Sequence, residues 1–134
     1  MSLEYRVEPK SDYVKITCTG VFENTDLNDF IQQTLDACEK HKPAKLLGDF
    51  RQVKGNITMM DRFYLGSVFA VRYFSRLIAG KIKPCRYALV GNSTLIDPHR
   101  FGETVAHNRG INVKVTTDWQ EALTWFEIDP KTEP

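Results

Sequence analysis

The sequence predicts an α/β domain: a mostly parallel five-stranded sheet, opened by an N-terminal β-hairpin and carrying four helices. Three observations predict it. Short alternating or continuous apolar runs are interleaved with longer stretches of helical periodicity, turn residues separate each run from the next, and after the first two strands the order is strictly strand then helix. Alternation of this kind demands right-handed helical crossovers between parallel neighbours.

Leu3 to Val7 and Tyr13 to Thr19 alternate apolar and polar side chains around the turn residues Pro9 to Asp12, which predicts the hairpin, with Gly20 ending it. Thr25 is placed to cap a helix from Asp26 to about Lys40, where Leu27, Phe30, Ile31, Leu35 and Cys38 recur at helical spacing before Pro43. Ala44 to Phe50 carries the continuous apolar stretch of a covered strand, with Asp49 at its exit and a polar loop from Arg51 to Ile57. Thr58 and Asp61 have capping-box spacing and open a long helix to about Ala79, closed by Gly80 and Pro84. Cys85 to Val90 reads as the next buried strand. Asp97 and Pro98 read as the cap and first turn of a helix to Asn108, ended by Gly110. Ile111 to Thr116 alternates again, and Asp118 with Glu121 caps a last helix whose apolar residues are Ala122, Leu123, Trp125 and Phe126.

A chain of 134 residues has the size of one domain, so residues 1–128 are assigned to a single unit and 129–134 to a polar C-terminal tail, expected to fray. With 42% hydrophobic and 26% charged residues the composition is globular, and a net charge of +1 is too small to draw the whole molecule to nucleic acid or an anionic membrane. Cys18, Cys38 and Cys85 are odd in number, widely spaced and without a Cys-x-x-Cys pair, the pattern of reduced buried thiols rather than of a disulfide framework or zinc site. No apolar run approaches the ~18 residues of a membrane span and no secretory leader is visible, so the expected location is the cytoplasm.

The run Lys45-Leu-Leu-Gly-Asp-Phe-Arg, then Gly55-Asn-Ile-Thr, then Arg86-Tyr-Ala-Leu-Val, then Val113-Lys-Val-Thr-Thr-Asp-Trp-Gln-Glu-Ala-Leu-Thr-Trp resembles the SpoIIAA-like branch of the STAS (anti-sigma-factor antagonist) superfamily over nearly the whole chain. The resemblance implies a SpoIIAA-like β/α superhelix and a regulatory, protein-interaction or ligand-binding module. It also implies a switch serine in an Asp-Ser-Ser-Gly-type segment at the start of the helix after the third strand. The matching stretch here is Gly55-Asn-Ile-Thr-Met-Met-Asp, with Thr58 its only hydroxyl and the Asp-Ser pair missing. Thr58 is therefore the one phosphorylation candidate, and a phosphate there would at least suit a helix N-terminus electrostatically.

In a parallel α/β sheet, ligands collect beyond the carboxyl ends of the strands. That edge offers Asp49, Arg51, Asn56 and Thr58 as a candidate polar site, against the structural alternative that Thr58, Asp97 and Asp118 simply cap helices. The helix from Thr58 to Ala79 is apolar on two sides. Met60, Phe63, Tyr64, Val71, Phe74 and Ile78 make one stripe, while Leu65, Phe69 and Tyr73, mixed with Arg62, Arg72 and Arg76, make another. One stripe can pack on the sheet; the other reads as a protein interface, as one wall of an apolar pocket with Arg72 or Arg76 meeting an anionic end, as a surface for an anionic membrane, or as ordinary core. His99, Glu103 and His107 share a helix side, but histidines eight residues apart stand about 12 Å apart along the axis, too far for one metal ion. No glycine-rich phosphate loop or nucleophile elbow is present, so no cofactor, metal or catalytic set is assigned.

The leading expectation is a non-enzymatic regulatory or interaction module, a homodimer or the binder of another protein through the long helix. The alternative is a carrier or sensor of an apolar, lipid-like or anionic small molecule, and the weakest reading is an enzyme using Asp49 and Arg51.

Overall fold

The structure, a computed structural model, describes residues 3–93, 95–96 and 101–133. The expected cap Asp97, Pro98 and His99 lie outside the described residues, as does Pro134. Five strands, β1 (Leu3–Pro9), β2 (Val14–Val21), β3 (Lys45–Lys54), β4 (Arg86–Gly91) and β5 (Val113–Thr116), form one sheet in chain order. β1 pairs antiparallel with β2 as a hairpin, and every later pairing is parallel. Four α-helices, α1 (Leu27–His41), α2 (Met59–Ile78), α3 (Phe101–Asn108) and α4 (Trp119–Phe126), complete the predicted architecture.

Chain-order neighbours have a geometric consequence. Right-handed crossovers that each advance one strand in the same direction place their helices on the same face. Accordingly Ile31, Leu35 and Cys38 of α1, Ala70 and Tyr73 of α2 and Ala106 of α3 share one core with Leu46, Tyr87 and Val113 of the sheet. α4 follows the last strand and covers the opposite face, burying Trp119, Ala122, Leu123 and Phe126 against Leu47, Ala88 and Val90. Its last carbonyls are met by basic side chains: Lys45 Nζ donates to Phe126 O (2.6 Å) and Arg86 Nη2 to Trp125 O (3.1 Å), with the Arg86 guanidinium over the Trp125 ring.

Four local expectations are corrected. Thr25 does not cap α1: it lies inside a 3-10 turn, Asn24–Asp26, which Glu23 and Asp26 hold in a reciprocal capping box. The hairpin is longer than its alternation suggests, because β2 runs through Gly20 to Val21. The segment 51–54 is strand rather than loop. Between the pairs Thr17↔Asp49 and Thr19↔Gln52, β3 advances three residues while β2 advances two, so β3 carries a bulge that breaks the alternation. Past it Val53 points inward, 1% exposed, and Asn92 Nδ2 satisfies the carbonyls of Val53 (2.6 Å) and Arg51 (3.3 Å).

The tail is the fourth correction. Glu133 is 2% exposed and accepts from Tyr13 Oη (2.5 Å) and Lys15 Nζ (2.7 Å), and its carbonyl accepts from Trp119 Nε1 (2.8 Å). A polar sequence conceals this docking because its partners come from Tyr13 just before β2, from β2 and from α4. No helix among the described residues is long and apolar enough to cross a membrane.

Candidate functional site

α2 is the element that makes the site. Thr58 Oγ1 accepts from Asp61 N (3.1 Å) and Asp61 Oδ2 from Thr58 N (3.2 Å), the reciprocal capping box its spacing predicts. The helix presents its second stripe inward. Tyr73 is 5% exposed, its hydroxyl accepts from Cys85 N (3.0 Å), and Phe69 and Tyr73 both meet the Tyr87 ring edge-on, at 5.0 and 5.8 Å. Leu65 packs beside them. The other stripe faces outward: Met60, Phe63, Val71 and Ile78 are 73, 43, 71 and 87% exposed. Leu65, Phe69 and Tyr73, read from sequence as interface or pocket, therefore face the interior, while Met60, Phe63, Val71 and Ile78 of the first stripe stand at the surface and its Tyr64 and Phe74 pack half-buried against the core.

α2 reaches α3 more closely than it reaches the sheet. Gly66 permits this, since a β-carbon there would lie 2.7 Å from Val105 Cγ1. Aromatic rings span the remaining distance to the strands but do not fill it. Between the sheet and α1, α2 and α3 lies a cavity of about 150 Å³, walled by Phe30 of α1, Phe50 and Val53 of β3, Leu65 and Phe69 of α2 and Leu89 of β4, among others. An apolar space of about that size accepts a molecule the size of benzene.

Arg62 and Glu103 are the charged residues at its wall. Glu103 is occupied, with Oε1 accepting from Val115 N (2.5 Å). Arg62 Nη2 donates to Leu95 O (3.1 Å), and its other N–H groups have no partner among the described residues. A guanidinium in this position can receive an anionic group at the edge of an apolar chamber.

The polar residues read from sequence do not form one site. Asp49, 8% exposed, is held bidentately by Arg51 (Nε to Oδ1 2.9 Å, Nη2 to Oδ2 3.0 Å), and Arg51 stacks on Trp119 at 3.7 Å, on the α4 face of the sheet. Thr58 and Asn56 stand past the end of β3, exposed. Arg72 and Arg76 do not wall the cavity: Arg72 Nη2 donates to Asn28 Oδ1 (3.3 Å) and Arg76 Nε to Glu39 Oε2 (3.2 Å), tying α2 to α1. Sequence reasoning missed Phe30, Phe50, Val53 and Leu89, whose apolar character in separate elements carries no signal of a shared void.

Among solved structures, the chain is similar to an anti-sigma factor antagonist from Mycobacterium paratuberculosis, at 15% identity and TM-score 0.54, over 94% of this chain and 95% of that one. It is also similar to the anti-sigma factor antagonist SpoIIAA in its unphosphorylated form, at 12% identity and TM-score 0.50, over 94% and 99%. An uncharacterized protein with a SpoIIAA-like fold from Shewanella loihica PV-4 aligns at 17% identity and TM-score 0.48, over 92% and 93%. No protein-family model matches the chain, and no curated protein matches it in sequence. The fold is that of the SpoIIAA-like antagonists, with the five-stranded sheet, hairpin and four helices predicted for it.

Proposed function

We propose that this protein is a regulatory binding module whose input is a small apolar acid, held in the cavity under α2 with its anionic end at Arg62. The observation that carries this reading is an almost wholly apolar chamber of about 150 Å³ with one underused guanidinium at its wall. Burial of the ligand's hydrocarbon drives association, and a charge-assisted hydrogen bond to Arg62 selects an acid over a neutral molecule of equal size. The regulatory part is carried over from the two antagonists of like fold.

Thermal shift and calorimetry with hexanoate, octanoate and benzoate test the proposal, with the corresponding alcohols as controls. The acids should bind and raise the melting temperature, and Arg62→Met should weaken the acids about tenfold or more while leaving the alcohols unchanged. Absence of binding by all of these probes, together with no retained mass in the native mass spectrum of gently purified protein, would sink the reading.

A second reading is favoured by the exposed stripe Met60, Phe63, Val71 and Ile78, which suits a second copy of the chain or another protein. Sedimentation of the wild type beside a Val71→Glu variant separates the two. A dimer lost on substitution would support the contact surface, and a monomer in both would remove the self-association.

A further inference from the structure

On the face of the sheet opposite the cavity, α4 covers Leu47, Ala88 and Val90 but leaves part of β1, β2 and β3 open. The segment 129–133 meets the margin of that open part as a short turn, with Thr132 N donating to Asp129 O (3.0 Å). Residues 129–132 are exposed, and Glu133 alone is buried. Its side chain and backbone are both recognised: Oε2 accepts from Tyr13 Oη, Oε1 from Lys15 Nζ, and the carbonyl from Trp119 Nε1, while Lys10 Nζ stands 3.8 Å from Oε2. The groups that receive it are held independently of the segment, with Tyr13 6% and Trp119 8% exposed and Lys15 Nζ 5.5 Å from the centre of the Trp119 ring. We propose that Tyr13, Lys15, Lys10 and Trp119 form a recognition site for an extended, glutamate-bearing segment of another protein, which the chain's own Glu133 occupies in cis as a competing ligand.

Two observations favour an incoming segment over a purely structural contact. Release of the cis segment breaks one anchor and leaves the core intact, since no residue of 129–133 belongs to the apolar clusters on either face of the sheet. It also vacates two lysines beside a tyrosine hydroxyl and an indole N–H, a set of donors that selects a carboxylate with a carbonyl next to it. The site also continues along the sheet. Thr17 and Thr19 follow Lys15 on the same side of β2 and, with Arg6 of β1 and Gln52 of β3, line an open polar cleft that no residue of 129–133 enters. Thr17 Oγ1 in that cleft has no hydrogen-bond partner among the described residues. From Lys15 to Thr19 the strand rises about 14 Å, room for about four residues of extended peptide. A partner that places its glutamate at Lys15 can therefore add hydrogen bonds to Arg6, Thr17 and Gln52 that the cis segment does not make. It must displace a tethered competitor whose effective concentration is roughly millimolar.

Fluorescence anisotropy with a labelled, amide-capped peptide of the sequence 128–134 tests the site on the full chain. Glu133→Ala, whose site is vacant, should bind the peptide about tenfold or more tightly than the wild type, in which the cis segment competes. A peptide carrying Glu133→Gln should not bind, and Lys15→Met added to the Glu133→Ala chain should abolish binding of the original peptide. Equal binding by wild type and Glu133→Ala, no binding by folded Glu133→Ala, or equal binding of the two peptides would each overturn the proposal. A second measurement needs no variant. In the wild type, hydrogen exchange followed by NMR and corrected for intrinsic rates should show the Trp119 indole N–H about tenfold or more less protected than the amides of Leu47 and Val90, because the segment opens while the sheet stays folded. Protection equal to theirs would mean that Glu133 leaves only when the whole chain unfolds, and the site could then receive no partner.

Discussion

Glu133 is a buried carboxylate whose two oxygens are both claimed, by Tyr13 and by Lys15, with Lys10 also 3.8 Å away. Burial opposes its ionisation. The hydrogen bonds from Lys15 and Tyr13 and the charges of Lys15 and Lys10 outweigh that, holding its folded pKa below the usual 4.5. The folded protein thus holds this proton less tightly than the unfolded chain, so its contribution to stability is complete above pH 4.5 and is lost as pH falls through the folded value. Glu133→Gln should cost about 1–3 kcal/mol near neutrality and flatten the acid limb of the stability profile, measured as urea midpoints between neutral pH and the onset of acid unfolding. None of this was legible in a tail reading Asp-Pro-Lys-Thr-Glu-Pro. A lone polar residue gives no pattern, and the partners of its carboxylate, Tyr13 and Lys15, are more than a hundred residues away in the chain.

Pattern does exist at the scale of the element, and α2 shows both its power and its limit. Its two apolar stripes and its capping box are legible from residue spacing alone. Which stripe faces inward is not, because both are apolar and the sheet is assembled from distant strands. Polar handles tip the choice: Tyr73 Oη finds Cys85 N, while Arg72 and Arg76 reach α1 from the flank. Tyr73→Ala should therefore destabilise the fold by about 3 kcal/mol or more, as truncation of a buried aromatic does. Val71→Asn and Ile78→Asn should change stability by less than about 0.5 kcal/mol, as expected at exposed sites. Chemical denaturation of the three variants checks the assignment, and a large loss at Val71 would reverse it.

For the whole molecule, the decisive feature is that α1, α2 and α3 crowd one face of the sheet and α4 covers the other. The crowded face is wide, α2 is held toward α3 through Gly66, and the space left against the strands becomes the cavity. A larger side chain inside it discriminates a void from a packed core. Leu65→Phe should fold, stabilise the unliganded protein by up to about 1 kcal/mol by filling space, and weaken binding of octanoate. A cost of about 1–3 kcal/mol instead would mean overpacking and no usable chamber. Calorimetric melts with and without octanoate read both effects.

Elements, their order, the hairpin, the parallel sheet and the SpoIIAA-like fold were determined by the sequence, because periodicity, turn chemistry and caps act between residues near one another in the chain. Tertiary structure alone decided the β3 bulge, the inward stripe of α2, the docking of Glu133 and the cavity beside Arg62. Each of these depends on the separation between elements that are remote in sequence. That separation is set by side-chain volume and register summed over the whole core, a quantity no single stretch of residues carries.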